Sequence, residues 1–228
     1  MTEAGWIAPG DTRIGVLGGT FDPIHFGHLA IAEQVREALS LDRVLFVPAA
    51  RPPHRLASDV TPAADRAAMV ALAIADNTAF SLCRIELDRD GPSYTSDTVA
   101  ALADEADLAA RADEAARELF FILSSEALVG FAKWHEPDRI LASCRLAVVP
   151  RPGTPLPARA WLESHLPGGA TAADRVDCVE TVPLANSASG VRLRVSQGLS
   201  VRYLVPPAVE TYICDHRLYT QPANRRTA

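Results

Sequence analysis

The run Gly18-Gly19-Thr20-Phe21-Asp22-Pro23-Ile24-His25-Phe26-Gly27-His28 constrains the fold most, because it sets a glycine turn and two histidines between a strand and a helix. Arg13 to Leu17 is a short apolar run that ends in glycines, as a buried parallel strand does. From His28 onward Ile31, Ala32, Val35, Ala38 and Leu39 recur at three- and four-residue spacings, which predicts a helix with one buried face, and Arg43 to Val47 supplies the next strand. A helix entered in this way opens with unpaired backbone N–H groups and the positive end of its dipole, so the turn before it suits an anion. Glycine lets the backbone approach that anion closely. The i, i+3 spacing of His25 and His28 puts both imidazoles on one side of the first helical turn, where they can donate to phosphoryl oxygens. A zinc site is the weaker reading, since no third ligand follows at helical spacing.

Beyond this unit the pattern alternates. Thr61 and Pro62 read as N-cap and first position of a helix to about Ala75, Phe80 to Leu87 as a strand, and Thr95 to Ala103 as a helix. Residues 104–118 are rich in alanine and charge, the composition of a solvated helical face or helix pair. Leu119 to Leu123 and Arg145 to Val149 are apolar strands, with helical segments around Leu128, Phe131, Ile140 and Leu141 between them. Residues 150–174 carry five prolines and Gly168-Gly169, which predicts a linker with one helix. A last strand, Arg175 to Val182, precedes helices at Val191 to Gln197 and Pro207 to Ile213. Residues 1–12 read as a loose, dispensable leader. The expected fold is therefore α/β: a Rossmann-like, doubly wound, mostly parallel sheet with a small helical C-terminal region, in one domain over residues 1–228.

Composition narrows the function. A formal charge of −6 with scattered basic residues argues against nucleic-acid binding, so an anionic ligand must be met locally. Cys83, Cys144, Cys178 and Cys214 form no Cys-x-x-Cys pair, which disfavours a zinc ribbon or redox motif and fits reduced thiols. Without a signal-peptide pattern or a run of about 18 apolar residues, the expectation is a cytoplasmic protein with no membrane contact. One lysine stands against 21 arginines, so arginine must neutralise phosphate.

Gly-Gly-Thr-Phe-Asp-Pro-x-His-x-Gly-His resembles the signature of the nucleotidyltransferase superfamily with a His-x-Gly-His motif. Further segments resemble its bacterial nicotinate-mononucleotide adenylyltransferase family: Pro52-Pro53-His54-Arg55, Gly91 to Thr98, Trp134-His135, and Asn186 to Ile213. The resemblance implies that nicotinate mononucleotide attacks the α-phosphate of ATP in line, giving deamido-NAD and pyrophosphate in NAD biosynthesis, with Mg²⁺ carried mainly by the ATP phosphates. The attacking phosphate is already an anion, so the protein would supply positioning and charge stabilisation, with no general base and no covalent intermediate.

On that resemblance His25, His28 and Arg192 are the catalytic residues, stabilising the α-phosphoryl group and the leaving pyrophosphate. Gly18, Gly19, Thr20, Phe21, Glu126, Ser187, Ser189 and Arg192 would bind ATP. Arg55, Tyr94, Thr95 and Trp134 would bind the mononucleotide, the indole stacking on its pyridinium ring, while His54 and His135 would be neighbours only. The chain departs from the family at Ser124-Ser125-Glu126, in place of Gly-Ala-Asp, and at Asn186-Ser187-Ala188-Ser189, in place of Ile-Ser-Ser-Thr. Glu126 keeps the carboxylate at longer reach; Ala188 removes a hydroxyl. Alternative readings keep the fold with nicotinamide mononucleotide or phosphopantetheine as acceptor, or make the chain a non-catalytic nucleotide-binding regulator. A homo-oligomer is compatible with the sequence.

Overall fold

The computed structural model describes residues 6–52, 60–113, 116–182 and 184–220. Strands β1 (Arg13–Gly19), β2 (Arg43–Pro48), β3 (Phe80–Leu82), β4 (Glu118–Ser124), β5 (Arg145–Val149) and β6 (Val176–Cys178) form one parallel sheet in the order β3-β2-β1-β4-β5-β6. Successive side chains leave opposite faces of a strand, so each strand feeds two cores. Ile14, Val16, Leu45, Val47, Leu119, Phe121, Leu123, Leu146 and Val148 face one core. Leu17, Val44, Phe46, Phe120, Ile122, Ala147 and Val149 face the other.

Helices α1 (Phe26–Ala38), α2 (Ala63–Ile74), α8 (Ala188–Ser196) and α9 (Pro207–Asp215) cover the second face through Ala32, Val35, Met69, Val70, Val191, Val209 and Ile213. The first is covered by α3 (Thr95–Asp113), α5 (Pro137–Ser143), α6 (Arg159–His165) and α7 (Gly169–Ala173), with α4 (Ser125–Val129) and a 3-10 turn at Phe131–Lys133 beside them. Strand order runs outward from β1 on one side and from β4 on the other. That reversal opens a crevice at the carboxyl ends of β1 and β4, where parallel sheets of this order bind ligands. Gly19 and Ser124 are the last residues of those two strands.

Several sequence expectations change. β3 stops at Leu82, because the chain turns at Arg84, whose carbonyl accepts from the Leu87 and Asp88 amides. β6 is likewise only three residues long. α2 takes Pro62 as its N-cap and not Thr61, whose carbonyl is held by Arg66. Residues 104–113 continue α3 as one helix, with Ala106 buried. The proline-rich 150–174 segment holds two helices, and Leu162, Leu166, Ala172 and Ala173 join the core. Proline opens or ends helices there without preventing burial. Residues 6–12 are no loose leader: Ile7 is buried, its amide donates to Glu105, and Asp11 pairs with Arg43 at 2.6 Å.

Candidate active site

α1 starts at Phe26, two residues before the expected His28, with His25 as N-cap and His28 in the first turn. The two imidazoles stack, with ring centroids 3.8 Å apart and planes 23° from parallel. A Cβ on Gly27 would lie 3.0 Å from the His25 ring, so the glycine of His-x-Gly-His makes space for that stack. The His25 amide donates to His28 Nδ1 at 3.2 Å. An accepting Nδ1 carries no proton, so the neutral His28 ring keeps its hydrogen on Nε2 as a donor. Burial lowers the His25 imidazole from the usual 6.5 to about 4, and the charge of Arg151 adds to the effect. Burial, His25 and Arg151 push His28 well below its ordinary value too. Both rings are therefore neutral near pH 7, and His25 Nδ1 is buried without a hydrogen-bond partner.

A cavity of about 540 Å³ lies over these rings at the carboxyl ends of β4 and β5. His25, His28, Ser124, Arg151, Ser187, Ser189 and Arg192 are among the residues that line it. Ser187 caps α8 by accepting from the Gly190 amide at 3.1 Å, and its hydroxyl lies 3.3 Å from that of Ser189. The Arg192 guanidinium donates to the Asp22 carbonyl at 2.6 Å, joining α8 to the glycine turn. The polar side chains of this lining are histidine, arginine, serine and Asn186, set among apolar residues such as Ile31, Val149 and Leu184, and no carboxylate belongs to it. Among the described residues no group of three His, Cys, Asp or Glu side chains could hold a metal ion.

A second cavity of about 180 Å³ opens on the other side of the turn, lined by Gly18, Gly19, Thr20, Pro52, Glu86, Thr95 and Trp134, among others. Gly18, Gly19 and Thr20, expected with ATP, thus stand with Trp134 and Thr95. Phe21 lines neither cavity: its backbone takes a positive φ of 49°, and its buried ring meets His28 edge-on at 5.1 Å. A Cβ on Gly19 would lie 3.1 Å from that ring. Reciprocal hydrogen bonds between Arg51 and Ser93 draw the segment after β2 against the start of α3. Trp134 is half-buried, edge-on to Phe121 at 6.1 Å and tilted against Phe131 at 5.4 Å, so one ring serves both core and cavity. Tyr94 stacks on His135 at 4.2 Å and is outside the lining. His54 and Arg55 lie outside the described residues.

Ser124-Ser125-Glu126 has a structural explanation. Ser124 caps α4, accepting from the Ala127 amide; the Ser125 hydroxyl donates to the Thr154 carbonyl at 2.5 Å; Glu126 pairs with Arg151 at 3.0 Å. Two of the three side chains hold the turn at 151–154 beside the larger cavity, and Glu126 stands outside its lining. Sequence reasoning missed Arg151 and Glu86. Glu86 is buried, accepts from Thr98 at 2.7 Å, and has its carboxyl pushed up by that burial. The flanking Pro150 and Pro152 mark Arg151 as a fixed position, whereas nothing near Glu86 signals its burial.

The cytidylyltransferase-like family model matches residues 16–195. A protein of Roseiflexus sp. strain RS-1 with the name "Probable nicotinate-nucleotide adenylyltransferase" is 45% identical over 208 residues, covering 90% of this chain and 97% of that relative. A Thermus thermophilus protein with the same name is 44% identical and covers 91% and 99%. The fold is similar to that of Plasmodium falciparum nicotinic acid mononucleotide adenylyltransferase complexed with NaAD, at a TM-score of 0.70, 14% identity and coverage of 91% and 97%.

Proposed function

The chain belongs to the cytidylyltransferase-like family, among its nicotinate-nucleotide adenylyltransferases, and we propose that it joins nicotinate mononucleotide to the AMP part of ATP in NAD biosynthesis. One observation carries the reading to the chemistry: a cavity lined by His25, His28, Arg151, Ser187, Ser189 and Arg192 lies at the ends of β4 and β5, and a smaller tryptophan-lined one lies at the end of β1 against Gly18, Gly19 and Thr20. ATP would occupy the first and the mononucleotide the second.

A phosphate oxygen of the mononucleotide attacks the ATP α-phosphorus in line. The new P–O bond forms as the bond to the β-phosphate bridging oxygen breaks, and that oxygen leaves on pyrophosphate with the electron pair. Because the nucleophile is ionised, neutral His25 and His28 serve as N–H donors and not as bases, while Arg192 and Arg151 carry the compensating charge. Preset donors are the right tool, since charge shifts among phosphoryl oxygens and no proton moves. Mg²⁺ would be carried by the triphosphate oxygens and water, the oxygen ligands this ion prefers, and would offset charge on the leaving group.

The test is pyrophosphate release by purified protein with ATP and, separately, nicotinate mononucleotide, nicotinamide mononucleotide and phosphopantetheine. Turnover with the nicotinate form is expected, and His28→Ala should lower kcat by about 10²-fold. Protein that binds ATP yet turns over neither pyridine mononucleotide would overturn the proposal.

A further inference from the structure

We infer that Arg66 is a positioning residue of the transfer reaction, a guanidinium that fixes the glycine turn beside the mononucleotide cavity. This rests on the adenylyl-transfer reading above. Arg66 is on α2, is only 1% exposed, and touches neither of the two cavities. Its hydrogen bonds go to main-chain carbonyls of three separate segments: Nη1 to Thr20 at 2.7 Å, Nε to Thr61 at 2.8 Å and Nη2 to Ala50 at 3.3 Å. Those segments are the glycine turn, the start of α2 and the chain leaving β2, which continues to Pro52 in the mononucleotide cavity.

Helix stability requires none of these bonds, and a side chain taken out of water to this extent is retained where its geometry is needed. The same turn is also held by Arg192 on the Asp22 carbonyl. The Asp22 carboxylate in turn accepts from the Tyr219 hydroxyl at 2.7 Å and the Thr61 amide at 3.3 Å. The carbonyls just before and just after the positive-φ residue Phe21 are thus each held by a buried or half-buried guanidinium, Thr20 by Arg66 and Asp22 by Arg192. Only a planar fork reaches three carbonyls of different segments at once, so lysine would recover one bond and lose the alignment. A turn released by a fraction of an ångström would still permit binding, because each cavity has lining residues outside the turn, but would misalign the attacking and receiving phosphates.

The experiment compares kcat and both KM values for the parent, Arg66→Met, Arg66→Lys and the control Met69→Ala, a buried α2 residue one turn on. Each is assayed below its own thermal transition. Arg66→Met is expected to lose at least 10-fold in kcat with the ATP KM within about 3-fold. Arg66→Lys should recover part of the loss, and Met69→Ala should keep kcat within about 2-fold despite a lower Tm. If Arg66→Met does not fold, a 3-fold or greater loss of kcat in folded Arg66→Lys supports the role, and parental kcat there overturns it. The inference also fails if Arg66→Met keeps parental kcat or if Met69→Ala loses kcat equally. Failure of the parent itself to release pyrophosphate overturns the adenylyl-transfer reading, and the inference with it.

Discussion

His25 and His28 combine two properties that pull against each other: their position over a site built for anions favours a charged ring, and their burial favours a neutral one. Burial wins in the free protein, which gives a pH signature. The unfolded chain protonates His25 near 6.5 while the folded chain resists until about 4, so this part of the stability is complete above pH 6.5 and is lost as pH falls toward 4. Unfolding free energy from denaturant titration should fall from pH 7 to pH 5 by about 2 kcal/mol more in the parent than in His25→Gln. An equal fall in both would show that the ring is not held neutral by the fold. Trp134 also has two roles. Trp134→Ala should raise the KM for the mononucleotide far more than that for ATP, and cost about 2 kcal/mol of stability through its contacts with Phe121 and Phe131. A stability loss with unchanged KM would leave it a core residue only.

At the scale of elements, α4 and the turn after β5 act as one piece. Sequence reading marked Ser124-Ser125-Glu126 as a departure from the family; packing shows why the chain tolerates it. The serine that replaces glycine caps a helix, and the next two side chains hold the turn that carries Arg151. The Glu126–Arg151 pair is more than half exposed and contributes little to stability. Combined Ser125→Ala and Glu126→Gln should therefore raise the ATP KM several-fold, leave the mononucleotide KM within about 2-fold, and lower the Tm by a few degrees, nearly all of it from the buried Ser125 hydrogen bond. Unchanged ATP KM would detach this turn from nucleotide binding. The helices that carry the site were legible because their apolar spacing is regular, as in α1. Their starts were less so: His25 becomes an N-cap through a stacked ring and a glycine gap, neither of which is a propensity.

In the whole molecule, two cores back one sheet, and the chain's early residues help close one of them. Ile7 packs with the α3 side of the sheet, and the bond from its amide to Glu105 spans 98 positions. Ile7→Ala should lower the unfolding free energy by about 2 kcal/mol and leave kcat unchanged, because the contact is remote from the crevice. A loss below about 0.5 kcal/mol would return this segment to the status of a loose leader. No helix among the described residues is long and apolar enough to cross a membrane.

The sequence by itself determined the parallel α/β class, the β1-turn-α1 unit with its paired histidines, and the family, because these rest on local periods and on residues adjacent in the chain. Tertiary structure alone decided the lengths of β3 and β6, the burial of Ile7 and of the 159–173 helices, and the placing of Gly18, Gly19 and Thr20 in the cavity of Trp134 and not in that of His25 and His28. It also decided the partners of Arg66, Arg151 and Glu86. The physical reason is the same in each case: a strand ends where its neighbour stops pairing, and a charged side chain is buried only where carbonyls or hydroxyls from distant segments converge on it. Thr20, Ala50 and Thr61 meet at Arg66 only after the sheet has closed.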